Sequence, residues 1–156
     1  MVLGSLESNL LKITTAYAMI ANGGKKITPY TVEKIQDKSG KTILKQDKRA
    51  CINCDSQNSL PEISDNREQI IDHRTAYQAT SLLEGVVERG TGWRAKILKK
   101  PMAGKTGTTN DSFDAWFVGF SSDIVVGVWA GFDAPKSLGK HAVSYTHLRA
   151  HETRPY

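Results

Sequence analysis

Leu10, Ile13, Tyr17 and Ile20 recur at the three- and four-residue spacing of one helix face. Ser8 stands where a cap belongs and Gly23-Gly24 where a stop belongs, so the pattern predicts a helix over 8–22. Residues 27–37 are rich in β-branched side chains, Lys38-Ser39-Gly40 is turn-like and 41–45 can return, which predicts a hairpin. Residues 46–66 are polar without a period and read as a surface insertion. A second helix is predicted over 73–88, where Ala76, Ala79, Leu83, Val86 and Val87 share a face, Asp72 caps the start and Gly90 and Gly92 follow the end. After a basic connector come three strand signals, 102–109, 113–120 and 124–132. The links Asn110-Asp111-Ser112 and Ser121-Ser122-Asp123 are too short for a crossover helix, so these strands must be antiparallel. The third is apolar on both sides, which suggests a sheet covered by helices on both faces. The expected class is α+β, an antiparallel sheet flanked by helices.

Composition narrows the picture. A chain of 156 residues that is 39% hydrophobic can bury a core, and one globular unit is the expectation. The formal charge of +5 comes without an arginine-rich run or interleaved aromatics, so no nucleic-acid partner is expected. The longest apolar run, 124–132, falls short of the about 20 residues of a spanning helix, and no leader pattern is visible. Cys51 and Cys54 form a lone C-x-x-C in the polar stretch. Only His73 offers a nearby third ligand where a structural zinc site takes four, so the pair reads as an exposed disulfide or two free thiols, and His73 as a surface residue.

The sharpest string is Pro101-Met102-Ala103-Gly104-Lys105-Thr106-Gly107-Thr108-Thr109. It is not a phosphate-binding loop, because the glycine required five positions before Gly104 is replaced by Lys99. On a strand, Thr106 and Thr108 project to one face and Lys105 to the other, while Gly107 lets a ligand approach the backbone. Two hydroxyls, a lysine and backbone N–H groups suit recognition of a carboxylate and an oxyanion. Taken alone, the tripeptide better suits a polar edge strand with a solvated lysine.

The context changes this. Lys105-Thr106-Gly107-Thr108-Thr109-Asn110-Asp111, Asp114-Ala115-Trp116-Phe117-Val118-Gly119-Phe120 and Val125-Val126-Gly127-Val128-Trp129-Ala130-Gly131-Phe132-Asp133 closely resemble the end of the transpeptidase domain of bifunctional class A penicillin-binding proteins. Ala16-Tyr17-Ala18, Ala21-Asn22-Gly23-Gly24, Arg74-Thr75-Ala76-Tyr77-Gln78, Leu82-Leu83-Glu84-Gly85-Val86-Val87 and Arg89-Gly90-Thr91-Gly92 are similar to the same family. The likeness runs from about residue 3 to 140, so 1–142 reads as the C-terminal portion of that domain, interrupted by 46–66.

The resemblance implies a serine-type D,D-transpeptidase that cross-links peptidoglycan stem peptides ending in D-Ala-D-Ala and is acylated by β-lactams. It implies no cofactor and no metal. It further implies a parent with a glycosyltransferase domain, anchored in the cytoplasmic membrane and facing the periplasm, with cell-wall synthesis proteins as partners. In family terms Lys105 and Thr108 are catalytic, Lys105 as a buried charge aiding proton transfers and Thr108 through an oxyanion-hole N–H. Thr106, Gly107 and Thr108 bind substrate. The family's S-x-x-K nucleophile and S-x-N elements precede everything that matches here, so the chain reads as a fragment predicted to be inactive alone. The literal strings Ser137-Leu138-Gly139-Lys140 and Ser56-Gln57-Asn58 stand in the wrong context to replace them. A non-catalytic module holding peptidoglycan or β-lactams, and a β-lactamase-related hydrolase, remain open. Residues 143–156 depart from the family and resemble the conceptual translation of a sequencing-library adapter, so His147 and His151 are not read as ligands.

Overall fold

The computed structural model describes residues 8–55, 59–134 and 136–139. The chain divides into two compact units, 26–68 and the remainder, rather than the single unit expected from length. Within the larger unit, helix α1 (Leu10–Ala21) starts one residue later than Ser8 would dictate, because Asn9 is the cap and its carboxamide oxygen accepts from Lys12 N at 2.9 Å. At its far end Gly24 N donates to Met19 O at 2.8 Å, with Gly23 and Gly24 at φ 68° and 88°. A Cβ on Gly24 would collide with the Ile71 carbonyl, so glycine is required here for close approach as well as for conformation. Ile70 N and Ile71 N both donate to Gly24 O at 3.0 Å, tying the end of α1 to the segment that leads into α2.

Helix α2 (His73–Arg89) keeps its predicted cap, Asp72 accepting from Arg74 N at 2.9 Å. It buries the predicted face, with Ala76 and Val87 almost fully enclosed. The connector after it is not plain coil. Residues Trp93–Leu98 form a 3₁₀ helix, closed by Lys99 in the left-handed conformation and tied to α2 by a Lys96–Glu88 ion pair of 2.9 Å. Strands β5 (Ala103–Thr108), β6 (Ala115–Phe120) and β7 (Val125–Ala130) form an antiparallel meander in the order β5-β6-β7. Its register runs from Ala103↔Phe120 to Thr108↔Ala115, and from Ala115↔Ala130 to Phe120↔Val125. Ala103, Ala115, Val118 and Phe120 are its buried core.

Helix α1 lies over β7 and β6, α2 lies against β5, and the helices touch each other. At Gly127 α1 comes close: a Cβ there would overlap Thr14 Oγ1 and press on Leu10. Complete cover of both faces of β7 is not present among the described residues. Val126 and Trp129, which alternate to opposite faces, remain 42% and 38% exposed.

In the smaller unit, β1 (Lys34–Gln36) and β2 (Thr42–Lys45) make the predicted hairpin, with Ile35 opposite Leu44. The first arm is shorter than 27–37, because a strand extends only as far as its partner and β2 is four residues long. The stretch 46–66 is less featureless than its polarity suggested. Strands β3 (Cys51–Ile52) and β4 (Glu62–Ile63) pair within it, and Cys51 and Cys54 form a disulfide.

The hairpin turn depends on Asp37, whose carboxylate accepts from Ser39 Oγ at 2.6 Å and from Ser39 N and Lys41 N at 2.9 Å. The Ser39 hydroxyl and then the Lys41 N–H hold its pKa below the ordinary value. A depressed carboxylate stabilises the fold above its unfolded pKa, and the contribution disappears as pH falls through the folded one. NMR titration is expected to place the Asp37 midpoint below that of an unperturbed aspartate, with the turn amides shifting in step. Gly127→Val is expected to lower the urea midpoint of unfolding, at a cost of about 1–3 kcal/mol, because α1 must lift from β7.

Candidate functional site

Being first in the order β5-β6-β7, β5 is paired along one side only among the described residues. Thr109 N donates to Asp114 O at 3.1 Å, which continues the β5–β6 ladder by one rung. Backbone groups of an antiparallel strand alternate in direction, so the N–H and C=O of Thr106 and Thr108 point away from β6. Lys105 confirms this assignment, since its Nζ curls round the edge to donate to Thr106 O at 2.7 Å. A cation therefore sits on the outer edge, one strand repeat from the Thr108 N–H. Lys105 is exposed in this chain. A six-residue edge strand gives a long side chain no enclosure of its own.

The two threonines share a face, as alternation requires, yet differ in surroundings. Thr108 is exposed. Thr106 is only 8% exposed, and its Oγ1 lies 2.7 Å from Thr91 Oγ1. The nearby glycines also differ. A Cβ on Gly104 would meet Val118 O at 3.0 Å and the Phe117 ring at 3.1 Å, and one on Gly119 would meet that ring at 2.8 Å. A Cβ on Gly107 would meet only Trp116 Cβ, at 3.4 Å. Packing thus demands glycine at 104 and 119, whereas at 107 its main effect is to leave the strand surface bare.

The end of β5 is braced by a group that sequence reasoning passed over. Asp114 Oδ1 accepts from Trp129 Nε1 at 2.8 Å, Asp114 N donates to Thr109 Oγ1 at 2.8 Å, and that hydroxyl donates to Asp114 Oδ2 at 3.3 Å. One carboxylate thereby joins the ends of all three strands. Gly131 makes room for it, since a Cβ there would stand 2.7 Å from Asp114 Oδ1 and 2.6 Å from the Trp129 ring. Thr91 was passed over as well. Both residues stand in segments that resemble the family, but only their partners across the fold give them a role.

Other candidates fall outside this edge. Ser137 Oγ donates to Asp111 O at 2.8 Å and accepts from Gly139 N at 3.2 Å, so it is engaged in the backbone of a turn. Lys140, residues 56–58 and residues 143–156 lie outside the described residues. His73 is exposed at the start of α2. Among the described residues no cluster of His, Cys, Asp or Glu could hold a metal, and no helix is long and apolar enough to cross a membrane.

A family model described as the penicillin binding protein transpeptidase domain matches residues 3–142. Penicillin-binding protein 1A of Rickettsia bellii is 51% identical over 148 residues, covering 91% of this chain and 19% of the relative. The chain thus spans about a fifth of the length of the curated relatives it matches. The crystal structure of penicillin-binding protein 1A from Haemophilus influenzae superposes with a TM-score of 0.74 at 32% identity, covering 92% of this chain and 25% of that one. Penicillin-binding protein A of M. tuberculosis, in its imipenem acyl-enzyme complex, shares the fold at a TM-score of 0.59 and 20% identity, over 81% of this chain and 27% of that one.

The brace at Asp114 leads to an expected outcome. Asp114→Ala leaves the Trp129 indole N–H and the Thr109 hydroxyl without their acceptor, at a cost of about 1 kcal/mol given their partial exposure. Urea unfolding followed by tryptophan fluorescence measures this, and the Trp129 emission shifts in the folded state.

Proposed function

The chain belongs to the penicillin-binding protein transpeptidase domain family, and from that premise we propose that it forms the K-T-G wall of a serine-type D,D-transpeptidase active site. In this reading the nucleophilic serine and its base stand on a part of the protein outside residues 1–156. The serine Oγ attacks the carbonyl carbon of the penultimate D-Ala, the C–N bond to the terminal D-Ala breaks, and the leaving amine takes up the proton. A neighbouring strand's amine then attacks the ester and releases the serine. With a β-lactam, the ring amide opens instead and the ester persists.

The observation that carries the reading is the outer edge of β5. It places the Lys105 ammonium on Thr106 O, beside an exposed Thr108 whose N–H points the same way. Lys105 supplies positive potential to the anionic substrate and assists proton transfer. The Thr108 N–H serves as an oxyanion donor, the Thr106 and Thr108 hydroxyls recognise the substrate carboxylate, and Gly107 admits the substrate backbone to the strand. The imipenem acyl-enzyme of the M. tuberculosis relative supports β-lactams as ligands. The parent works at the outer face of the cytoplasmic membrane on peptidoglycan stems, together with a glycosyltransferase domain and other cell-wall synthesis proteins.

Second-order acylation rates of the full-length protein by a fluorescent penicillin test the assignment. Lys105→Ala is expected to lower the rate by about 10²–10³, the scale of losing one preorganised electrostatic contact. Thr106→Val and Thr108→Ala slow acylation moderately, because the Thr108 N–H survives side-chain replacement. A wild-type rate in Lys105→Ala refutes the assignment, and so does stoichiometric, denaturation-resistant labelling of residues 1–156 alone.

A further inference from the structure

Cys51 and Cys54 are the chain's two cysteines, and in the structure they are bridged. The bridge closes only a short loop and leans on no core. Both cysteines are exposed, and the apolar side chains beside them on the paired strands, Ile52 and Ile63, remain 47% and 56% exposed. Closing a ring over two intervening residues removes less unfolded-chain entropy than closing a long loop. One of those two residues, Asn53, stands in the left-handed region at φ 61°, a conformation that disfavours a side chain. Coupling between bridge and fold is reciprocal, so a fold makes its disulfide harder to reduce only by as much as the disulfide stabilises the fold. A bridge from which the fold gains so little is open to exchange, as exposed disulfides generally are.

What the bridge does hold is local. Cys51 pairs with Ile63 and Ile52 with Glu62, and Ser64 N and Ser64 Oγ extend this two-residue ladder by donating to Ala50 O at 3.0 and 3.3 Å. So short a strand pair is marginal by itself, and the bridge fixes the turn that follows β3. We propose that Cys51–Cys54 is a reversible thiol–disulfide exchange site whose reduction releases the β3–β4 strand pair. A thiol reductant supplies the electrons. Its thiolate attacks one Sγ, the S–S bond breaks, and the other cysteine leaves as a thiolate that takes up a proton. A second thiolate then attacks the reductant's sulfur in the mixed disulfide, which frees the remaining cysteine and leaves the reductant as its own disulfide. Two electrons and two protons pass to the chain in all. The exposed disulfide and the two free thiols expected from the sequence are then two states of one site. The inference is independent of the transpeptidase reading.

Glutathione is the probe. The full-length protein is equilibrated without denaturant in buffers from excess oxidised to excess reduced glutathione, quenched in acid and alkylated. Trypsin cuts after Arg49 and Arg67, so one peptide, 50–67, carries both cysteines and its mass reports their state. More than half is expected to be reduced at the glutathione poise of a cytosol, and to close again in oxidised glutathione, with the folded tryptophan fluorescence retained throughout. Amide hydrogen exchange in 50–67 is expected to be at least about threefold faster in the reduced than in the bridged protein. Asn53→Val, which raises the cost of the left-handed turn, is expected to lower the bridged-to-reduced ratio about fivefold in any one buffer. A peptide that stays bridged at that poise, or opens only when the folded fluorescence is lost, marks a structural disulfide and overturns the proposal. Equal hydrogen exchange in the two states overturns the release of β3–β4, and an unaltered ratio in Asn53→Val overturns the part given to the turn.

Discussion

The candidate site depends on β5 pairing along one side. The ladder to β6 uses every second backbone group of Ala103–Thr108 and directs the others to the free side. Were that edge paired with another strand, the Thr106 carbonyl would be taken and the Lys105 ammonium would lose its seat. An exposed edge is ordinarily a hazard, which proteins blunt with charge and short length. Here a six-residue strand carrying a lysine meets that need.

Much of the remaining structure keeps this edge in register. Asp114 binds the turn after β5 to the indole of Trp129 on β7, so the two outer strands of the meander share one carboxylate. The Trp116 and Trp129 rings, directly opposite in the register, lie 6.4 Å apart at 54°, a tilted aromatic contact that adds to the same strand ends. At the other end of the element order, Gly24 and Gly127 let backbone and helix approach so closely that no side chain fits between. These contacts hold α1, the segment before α2 and β7 as one packed unit, against which β5 is fixed.

The smaller unit is held together differently. Its strands are two to four residues long and its described side chains are mostly exposed. Order there comes from local devices: the Asp37 turn, the Cys51–Cys54 disulfide, and the Arg49–Asp47 and Arg67–Asp65 ion pairs at 2.7 Å. Ion pairs near the surface contribute little individually, so hydrogen-bonded turns and the covalent bridge are its firmer constraints.

Both helices, the three strands and their antiparallel order were legible in the sequence, because periodicity, caps and connector length are local properties. The K-T-G edge was legible for the same reason: alternation along a strand assigns Thr106 and Thr108 to one face whatever surrounds them. Three local readings failed where a neighbour in sequence competed with one in space. Asn9 displaced Ser8 as cap, the connector after α2 wound into a 3₁₀ helix tied to Glu88, and the hairpin arm stopped where its partner stopped. Only the tertiary structure decided which of these side chains are exposed and which are enclosed. Burial separated Thr106 from Thr108, Lys105 came to rest on Thr106 O at the strand edge, and packing brought Thr91 to Thr106 across fifteen residues. Exposure and hydrogen-bond partnership belong to the space around a side chain, and no pattern along a single chain encodes them.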